Sequence, residues 1–293
     1  MKNIFEGTGV AIITPFKSYK IDYKSLEKMV NHVIEGGVTY IVVLGSTGEA
    51  ATLSYKEQEE VLALVKTISR EKVPLVAGNF AGINTAEIVE RVKSFDFEGY
   101  DALLVSSPAY VKPSQEGIYR HYIEIAEVSP VPIILYNVPG RTSSNIEWQT
   151  AVKLASHPNI IGIKEASGNI SQCTKIIANK PNSFFVTSGD DESALALTAI
   201  GGCGVISVIA NALPDQFSKM INYSLEGNQK EANKLNNHTF GLHEYLYKEG
   251  NPVGIKAACE ILGLCTKEVR LPLVSLSDNV YEKLKLSLHH VNK

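Results

Sequence analysis

The sequence predicts an α/β fold: eight parallel strands closed into a (β/α)8 barrel of the TIM-barrel class, followed by a C-terminal helical appendage. Three observations carry this prediction. Short apolar runs of β type recur eight times along the chain. Helix-period stretches lie between them, and strict β–α alternation is the pattern of a parallel sheet covered by helices. After the eighth run the pattern becomes all-helical.

The eight runs are Val10–Thr14, Tyr40–Leu44, Pro74–Gly78, Ala102–Ser106, Val131–Tyr136, Ile160–Lys164, Phe184–Ser188 and Val205–Ile209. They are nearly continuously apolar, as strands buried on both faces are. Leu26–Ile34 repeats apolar residues at intervals of three and four and stops at Gly36-Gly37. Lys56–Val65 follows Ser54, with Glu57 three residues on, the capping-box pattern. Thr85–Val92 and Ser193–Ile200 read as further helices. Gln216–Leu225, Gln229–Lys248, Pro252–Leu262 and Asp278–His290 form the all-helical end. The predicted division is a barrel over residues 1–226 and helices packed on it over residues 227–293. An open doubly wound sheet would carry a Gly-x-Gly-x-x-Gly turn after its first strand, and Val10-Ala-Ile-Ile-Thr-Pro-Phe16 has none.

With 293 residues, 44% of them hydrophobic, and a net charge of −3, the chain has the composition of a globular protein. Acidic and basic residues are interspersed, which argues against nucleic acid as a partner. No apolar run is long enough to span a bilayer, and Met1-Lys-Asn-Ile-Phe-Glu-Gly7 lacks the apolar core of a signal peptide. The expectation is a cytoplasmic protein. Cys173, Cys203, Cys259 and Cys265 have no metal-ligand or redox spacing and read as buried thiols in a reducing compartment. The histidines show no metal-binding pairing on a helix; His121 and His243 have aromatic neighbours and read as core or surface residues.

The sixth run, Ile160-Ile-Gly-Ile-Lys164, ends in a lysine. Alternation along a strand puts Ile161 and Ile163 on one face and Gly162 and Lys164 on the other. With the isoleucines toward covering helices, Lys164 faces an interior in which Gly162 leaves space. Apolar surroundings favour the neutral amine, a nucleophile toward a carbonyl. A lysine at a strand end reaching for water is the bland alternative. The other strand ends weigh against it, because barrel enzymes place their chemistry at the carboxyl ends of the strands.

The second strand ends in Gly45-Ser-Thr-Gly-Glu49, whose amides and hydroxyls can converge on a carboxylate or phosphate. It lacks the lysine and spacing of a P-loop. The fifth ends in Leu135-Tyr-Asn-Val-Pro-Gly-Arg-Thr142. There Tyr136 can move protons during imine formation, and Arg141 can grip a second carboxylate. A core aromatic and a surface ion pair are their bland readings. The fourth end supplies Tyr110, and the seventh, Ser188-Gly-Asp-Asp-Glu192, reads first as loop and N-cap rather than as a metal site. Together these residues describe a site that joins or splits an α-keto acid through an imine.

Gly45–Glu49, Tyr136–Thr142 and Gly162–Ser167 resemble the signatures of the dihydrodipicolinate synthase family of pyruvate-dependent class I aldolases. Ser188–Asp191, Gly204–Ser207, Asn251-Pro252 and Arg270–Pro272 extend the likeness over nearly the whole chain, in order. The resemblance implies a lyase of lysine and diaminopimelate biosynthesis that condenses pyruvate with L-aspartate 4-semialdehyde. It implies no metal or organic cofactor, only a covalent imine, and a homotetramer built as a dimer of dimers. Lys164 would form the Schiff base. Tyr136 would shuttle protons in a relay with Ser46 and with Tyr110, the last reaching in from a neighbouring subunit. The backbone at Ser46 and Thr47 would hold the pyruvate carboxylate, Arg141 that of the semialdehyde, and Gly189 and Ile206 would line the pocket.

Two departures stand out. Ser46 occupies a position where threonine is commoner; it keeps the hydroxyl. The region that binds lysine as inhibitor in sensitive members corresponds to Ala50, Ala51, Tyr55, Gln58, Ile83, Glu87 and Ala109, where the family's histidines, asparagine and tyrosine are replaced and Glu87 alone remains as a partner for an amine. The loop Gly78–Asn84 is one residue longer than usual. The expectation is weak lysine inhibition or none. Two other functions compete: another aldolase of the superfamily, such as N-acetylneuraminate lyase or a 2-keto-3-deoxy sugar acid aldolase, and a non-catalytic regulatory paralogue. The set Lys164, Tyr136, Ser46, Tyr110 and Arg141 is complete, which argues against the paralogue.

Overall fold

The computed structural model describes residues 3–78, 80 and 82–291, so Asn79 and Ala81 of the lengthened loop lie outside the described residues. Eight parallel strands close into a barrel: β1 (Gly7–Ala11), β2 (Tyr40–Val43), β3 (Leu75–Ala77), β4 (Ala102–Ser106), β5 (Ile133–Asn137), β6 (Ile160–Glu165), β7 (Phe185–Ser188) and β8 (Gly204–Ser207). Each pairs with the next, and β8 closes on β1.

The first strand lies three residues earlier than its apolar run. Pairing begins at Gly7 against Gly204, both at positive φ, where a Cβ on Gly204 would collide with the Gly7 backbone. Ile12 and Ile13 continue past the strand end, and the Ile13 N–H donates to the Asn211 side chain at 3.0 Å. An apolar run marks burial, but the ladder forms where two backbones can approach.

The predicted helices form over Tyr23–Glu35, Tyr55–Ser69, Thr85–Ser94 and Ala194–Ala199. Ser54 and Glu57 make the reciprocal capping box. Gln115–Val128, Trp148–Leu154 and Ile170–Asn179 complete the outer ring. After the barrel come Pro214–Leu225, Gln229–Thr239, Gly241–Tyr247, Val253–Ile261 and Asp278–Val291. The single helix predicted over Gln229–Lys248 is two. Thr239 turns its hydroxyl back onto the carbonyls of Leu235 and Asn236 just before Gly241, and back-bonding of this kind bends helices.

A large apolar cluster lies between strands and helices, and a smaller one fills the barrel. The smaller is floored by aromatics: Phe5 meets Tyr40 edge-on at 5.2 Å and Phe185 at 5.8 Å between ring centroids. Gly9 admits the Tyr40 ring, and Gly162 admits that of Phe185. Two sequence expectations are corrected here. The space beside Gly162 is filled by Phe185. Ile161 does not share a face with Ile163: the β5–β6 register shifts after Ile133, and Ile161 packs against the interior cluster while Ile163 belongs to the outer one. A bulge of this type re-aims side chains.

The post-barrel segment grips the rim. Glu49, at the end of the β2 loop, forms a fully buried ion pair with Lys256, and its carboxylate also accepts from the Arg270 N–H at 3.2 Å. The Arg270 guanidinium donates to Glu57, Thr52 and Tyr19. Cys173 and Cys259 are buried, whereas Cys203 and Cys265 are half-buried, and all four are free thiols. His121 is a core residue whose imidazole burial pushes down to about 4. No helix among the described residues is long and apolar enough to cross a membrane.

Candidate active site

The register of β5 and β6 builds the centre of the site. Tyr136 pairs with Lys164 and Asn137 with Glu165. Period-2 alternation then sends the first pair inward and the second outward. Lys164 is 5% exposed and Tyr136 8%. The Lys164 Nζ lies 4.4 Å from the Tyr136 ring centroid, a cation–π distance. Neither the lysine amine nor the tyrosine hydroxyl makes a hydrogen bond among the described residues. Just past the end of β7, Gly189 leaves the lysine stem its room, since a Cβ there would come within 2.8–2.9 Å of Lys164 carbons. Ile206 is buried in the interior cluster.

The outward pair is fully engaged. The Glu165 carboxylate accepts from Asn137 at 3.0–3.1 Å, from the Ser167 N–H at 2.8 Å and from Gln172 at 2.8 Å. Asn137 also reaches Asn145 at 2.8 Å and accepts from the Ile146 N–H at 2.9 Å. This network ties the ends of β5 and β6 together beneath their loops. Sequence reasoning quoted Glu165 inside a motif and gave it no role.

The β2 loop opens a short turn of 3₁₀ helix at Ser46–Gly48. Ser46 is exposed and Thr47 is 3% exposed. Ser46, Gly45 and Tyr136 line one cavity of about 550 Å³, which brings the start of the β2 turn to the tyrosine. No hydrogen bond among the described residues joins Tyr136, Ser46 and Tyr110. The Tyr110 backbone, at φ 70°, is held by its N–H to the Thr142 carbonyl at 3.1 Å, while its side chain stands 85% exposed. Arg141 is exposed at the rim and donates to the Asn251 carbonyl at 3.0 Å.

The Ser188–Glu192 loop is structural. Asp190 accepts from the Ser193 N–H and hydroxyl. Buried Asp191 accepts from the Val208 and Ile209 N–H groups at 3.0 and 2.9 Å and from the Tyr247 hydroxyl at 2.7 Å. Among the described residues no group of three or more His, Cys, Asp or Glu side chains is placed to hold a metal ion.

The seven residues of the supposed lysine region are only partly brought together. Ala50, Ala51, Tyr55 and Gln58 line the same cavity as Ser46. Tyr55 donates to Glu87 at 3.0 Å. Ile83 is 51% exposed and Ala109 half-buried, both away from that cavity's lining. The sequence reading missed Arg91. Its guanidinium lies over the rings of Tyr55 and Phe80, 4.6 and 4.9 Å from their centroids, and donates to Gln58.

A buried strand-end lysine beside a tyrosine, above a closed barrel floor, stands where barrel enzymes carry their chemistry. The comparisons narrow the class. The dihydrodipicolinate synthetase family model matches residues 4–291, and the chain belongs to that family. It is 46% identical to the 4-hydroxy-tetrahydrodipicolinate synthase of Flavobacterium psychrophilum over 99% of both chains. It superposes with a TM-score of 0.94 on the chloride-inhibited dihydrodipicolinate synthase of Acinetobacter baumannii complexed with pyruvate, at 40% identity over 98% of this chain and 99% of that one. A monomeric dihydrodipicolinate synthase variant gives a TM-score of 0.96 at 35% identity, over 99% of this chain and 97% of that one.

Proposed function

We infer that this chain is a 4-hydroxy-tetrahydrodipicolinate synthase, a lyase that condenses pyruvate with L-aspartate 4-semialdehyde through an imine on Lys164. The observation that carries the reading is the Lys164–Tyr136 pair, both buried, both facing the barrel mouth and neither hydrogen-bonded among the described residues. The Lys164 amine attacks the keto carbon of pyruvate. Tyr136 delivers the proton that lets the hydroxyl leave as water, and the imine forms. Loss of a methyl proton gives the enamine. Its carbon attacks the aldehyde of the second substrate, and ring closure by the substrate amine releases Lys164. The Ser46–Thr47 turn holds the pyruvate carboxylate, Arg141 grips that of the semialdehyde, and Gly189 and Ile206 shape the wall. No cofactor enters this sequence of steps.

Tyr110 belongs to the proton relay of a second subunit in this reading. Its backbone is fixed at the rim and its ring projects away from its own chain, which makes a dimer the smallest active unit and a dimer of dimers the assembly. Sedimentation of the purified protein as a monomer with full activity would remove Tyr110 from the relay. We place the boundary between barrel and appendage at Gly227, whose φ of 79° ends the helix Pro214–Leu225. We assign the enzyme to the cytoplasm, where its substrates are made.

Weak or absent lysine inhibition follows from Arg91. A guanidinium already lies over Tyr55 and Phe80, and Glu87 already accepts from Tyr55. A second cation would have to displace the first. Inhibition by lysine at micromolar concentration would overturn this.

The deciding experiment is pyruvate consumption with L-aspartate 4-semialdehyde, N-acetylmannosamine and a sugar-derived aldehyde in parallel. Turnover with the semialdehyde alone, abolished in Lys164→Ala, is the expected result. Turnover with a sugar aldehyde would move the chain to the lyase branch. An inactive protein that forms no borohydride-trapped pyruvate adduct would be the regulatory paralogue.

A further inference from the structure

We propose that Asn251, supplied by the post-barrel segment, is a positioning residue that sets the hydroxyl of Thr47 for the keto-acid carboxylate and fixes Arg141 relative to it. The inference rests on the imine reading above and adds to it the function of a residue outside the barrel.

Three segments far apart in the chain meet at this residue. Thr47 comes from the turn after β2, Arg141 from the loop after β5, and Asn251 from the link between the helices Gly241–Tyr247 and Val253–Ile261. The Asn251 side-chain amide donates to the Thr47 Oγ1 at 2.9 Å. Its backbone carbonyl accepts from the Arg141 guanidinium at 3.0 Å. One residue thus holds both anion-binding arms, the first through its side chain and the second through its main chain.

The direction of the first bond matters. A threonine hydroxyl has one hydrogen to give and two lone pairs to fill. When an amide N–H occupies one lone pair, the Thr47 hydrogen must point elsewhere, and among the described residues it has no other acceptor. Thr47 is 3% exposed, so bulk water does not compete for it. Without Asn251 the hydroxyl would regain its rotation and its choice of partners, and the turn would have to order it at each binding event. The anchor is itself secured. Lys256, five residues on, is buried against Glu49, the last residue of the same loop. The segment from Asn251 to Lys256 therefore grips the Gly45–Glu49 turn at its middle and at its last residue.

The test uses the full-length protein and borohydride trapping of the pyruvate adduct on Lys164, read by mass as a function of pyruvate concentration. Asn251→Ala removes the donor and leaves the main-chain acceptor for Arg141. It should raise half-saturating pyruvate about tenfold with little loss of adduct at saturation. Asn251→Asp keeps the shape, reverses the hydrogen bond and sets a negative charge beside the bound carboxylate. It should raise half-saturation by about a hundredfold. In a Thr47→Val background, Asn251→Ala should add nothing further, because the two residues act as one unit. Unchanged half-saturation in Asn251→Asp would mean that Thr47 donates to the side chain, and the proposal would fall. Simple additivity of the Thr47→Val and Asn251→Ala effects would also overturn it. The isosteric Asn251→Asp keeps the test decisive should Asn251→Ala fold poorly. Absence of any adduct in the wild-type protein is a different failure, that of the imine reading itself.

Discussion

Lys164 and Glu165 are consecutive residues on β6, both ionisable and both buried, yet they live in opposite circumstances. Glu165 faces outward and accepts from three different residues. Lys164 faces inward, its amine against the face of the Tyr136 ring and without a hydrogen bond among the described residues. Buried polar groups are normally satisfied, since leaving one without partners costs about 1–3 kcal/mol. The outer face of this strand end is tied into a network, and the inner face keeps an amine and a hydroxyl without hydrogen bonds among the described residues.

The comparison is broken most severely by exchanging the effects of the two residues. Lys164→Met should lower turnover by at least about 10⁴-fold and eliminate the pyruvate adduct, while the melting temperature holds or rises. Glu165→Ala should do the reverse. It takes an acceptor from two buried amides and one half-buried N–H and should cost about 2–4 kcal/mol of stability, seen as a fall of about 4–16 °C in melting temperature, while the folded fraction still forms the adduct. If Lys164→Met were the destabilising one, the division between the faces would be wrong.

Tyr136→Phe sharpens the same contrast within the inner pair. It keeps the ring against the lysine and removes only the hydroxyl. Turnover should drop about 10²–10³-fold with little change in stability, as expected for the loss of a proton carrier. An equal loss of stability and activity would make Tyr136 a packing residue.

The mildest effect concerns the rim. Hydrogen bonds from Arg270 hold the Glu57 carboxyl down to about 2, against 4.5 for a free glutamate. A folded-state value below the unfolded one contributes stability above about pH 4.5, and that contribution disappears as pH falls toward 2. Glu57→Gln should therefore unfold with a shallower dependence on pH across that interval, measured by thermal melts at pH 2–5. Glu57 is partly exposed, so the change is small. An unaltered acid profile would show that the bond contributes nothing measurable.

Much of this was legible in the chain. The Ser54–Glu57 capping box, the eight apolar runs and the helices between them are local patterns, and local sterics and periodicity decide them. Lys164 and Tyr136 were legible because a strand end is a fixed place in a barrel and alternation is a fixed rule. The exceptions have one physical character. Ile161 changed face because it is the extra, unpaired residue where β6 bulges against β5, and the space at Gly162 was taken by Phe185 from β7. Arg91 and Asn251 carried no local signal of their function. Each is defined by what lies across the fold: the rings of Tyr55 and Phe80 for one, Thr47 and Arg141 for the other.

The sequence by itself determined the elements, their order and the closed barrel, and it placed Lys164 and Tyr136 at strand ends, because these follow from spacing along one segment and from motifs that sit whole within it. Only the tertiary structure decided which polar groups are spent on one another and which are left unpaired, how the post-barrel helices hold the carboxylate turn, and that an internal guanidinium lies over Tyr55 and Phe80. Those outcomes depend on distances between residues as much as 251 positions apart. A hydrogen bond is decided within a few tenths of an ångström, and no pattern along the chain fixes a separation that finely until the barrel has closed.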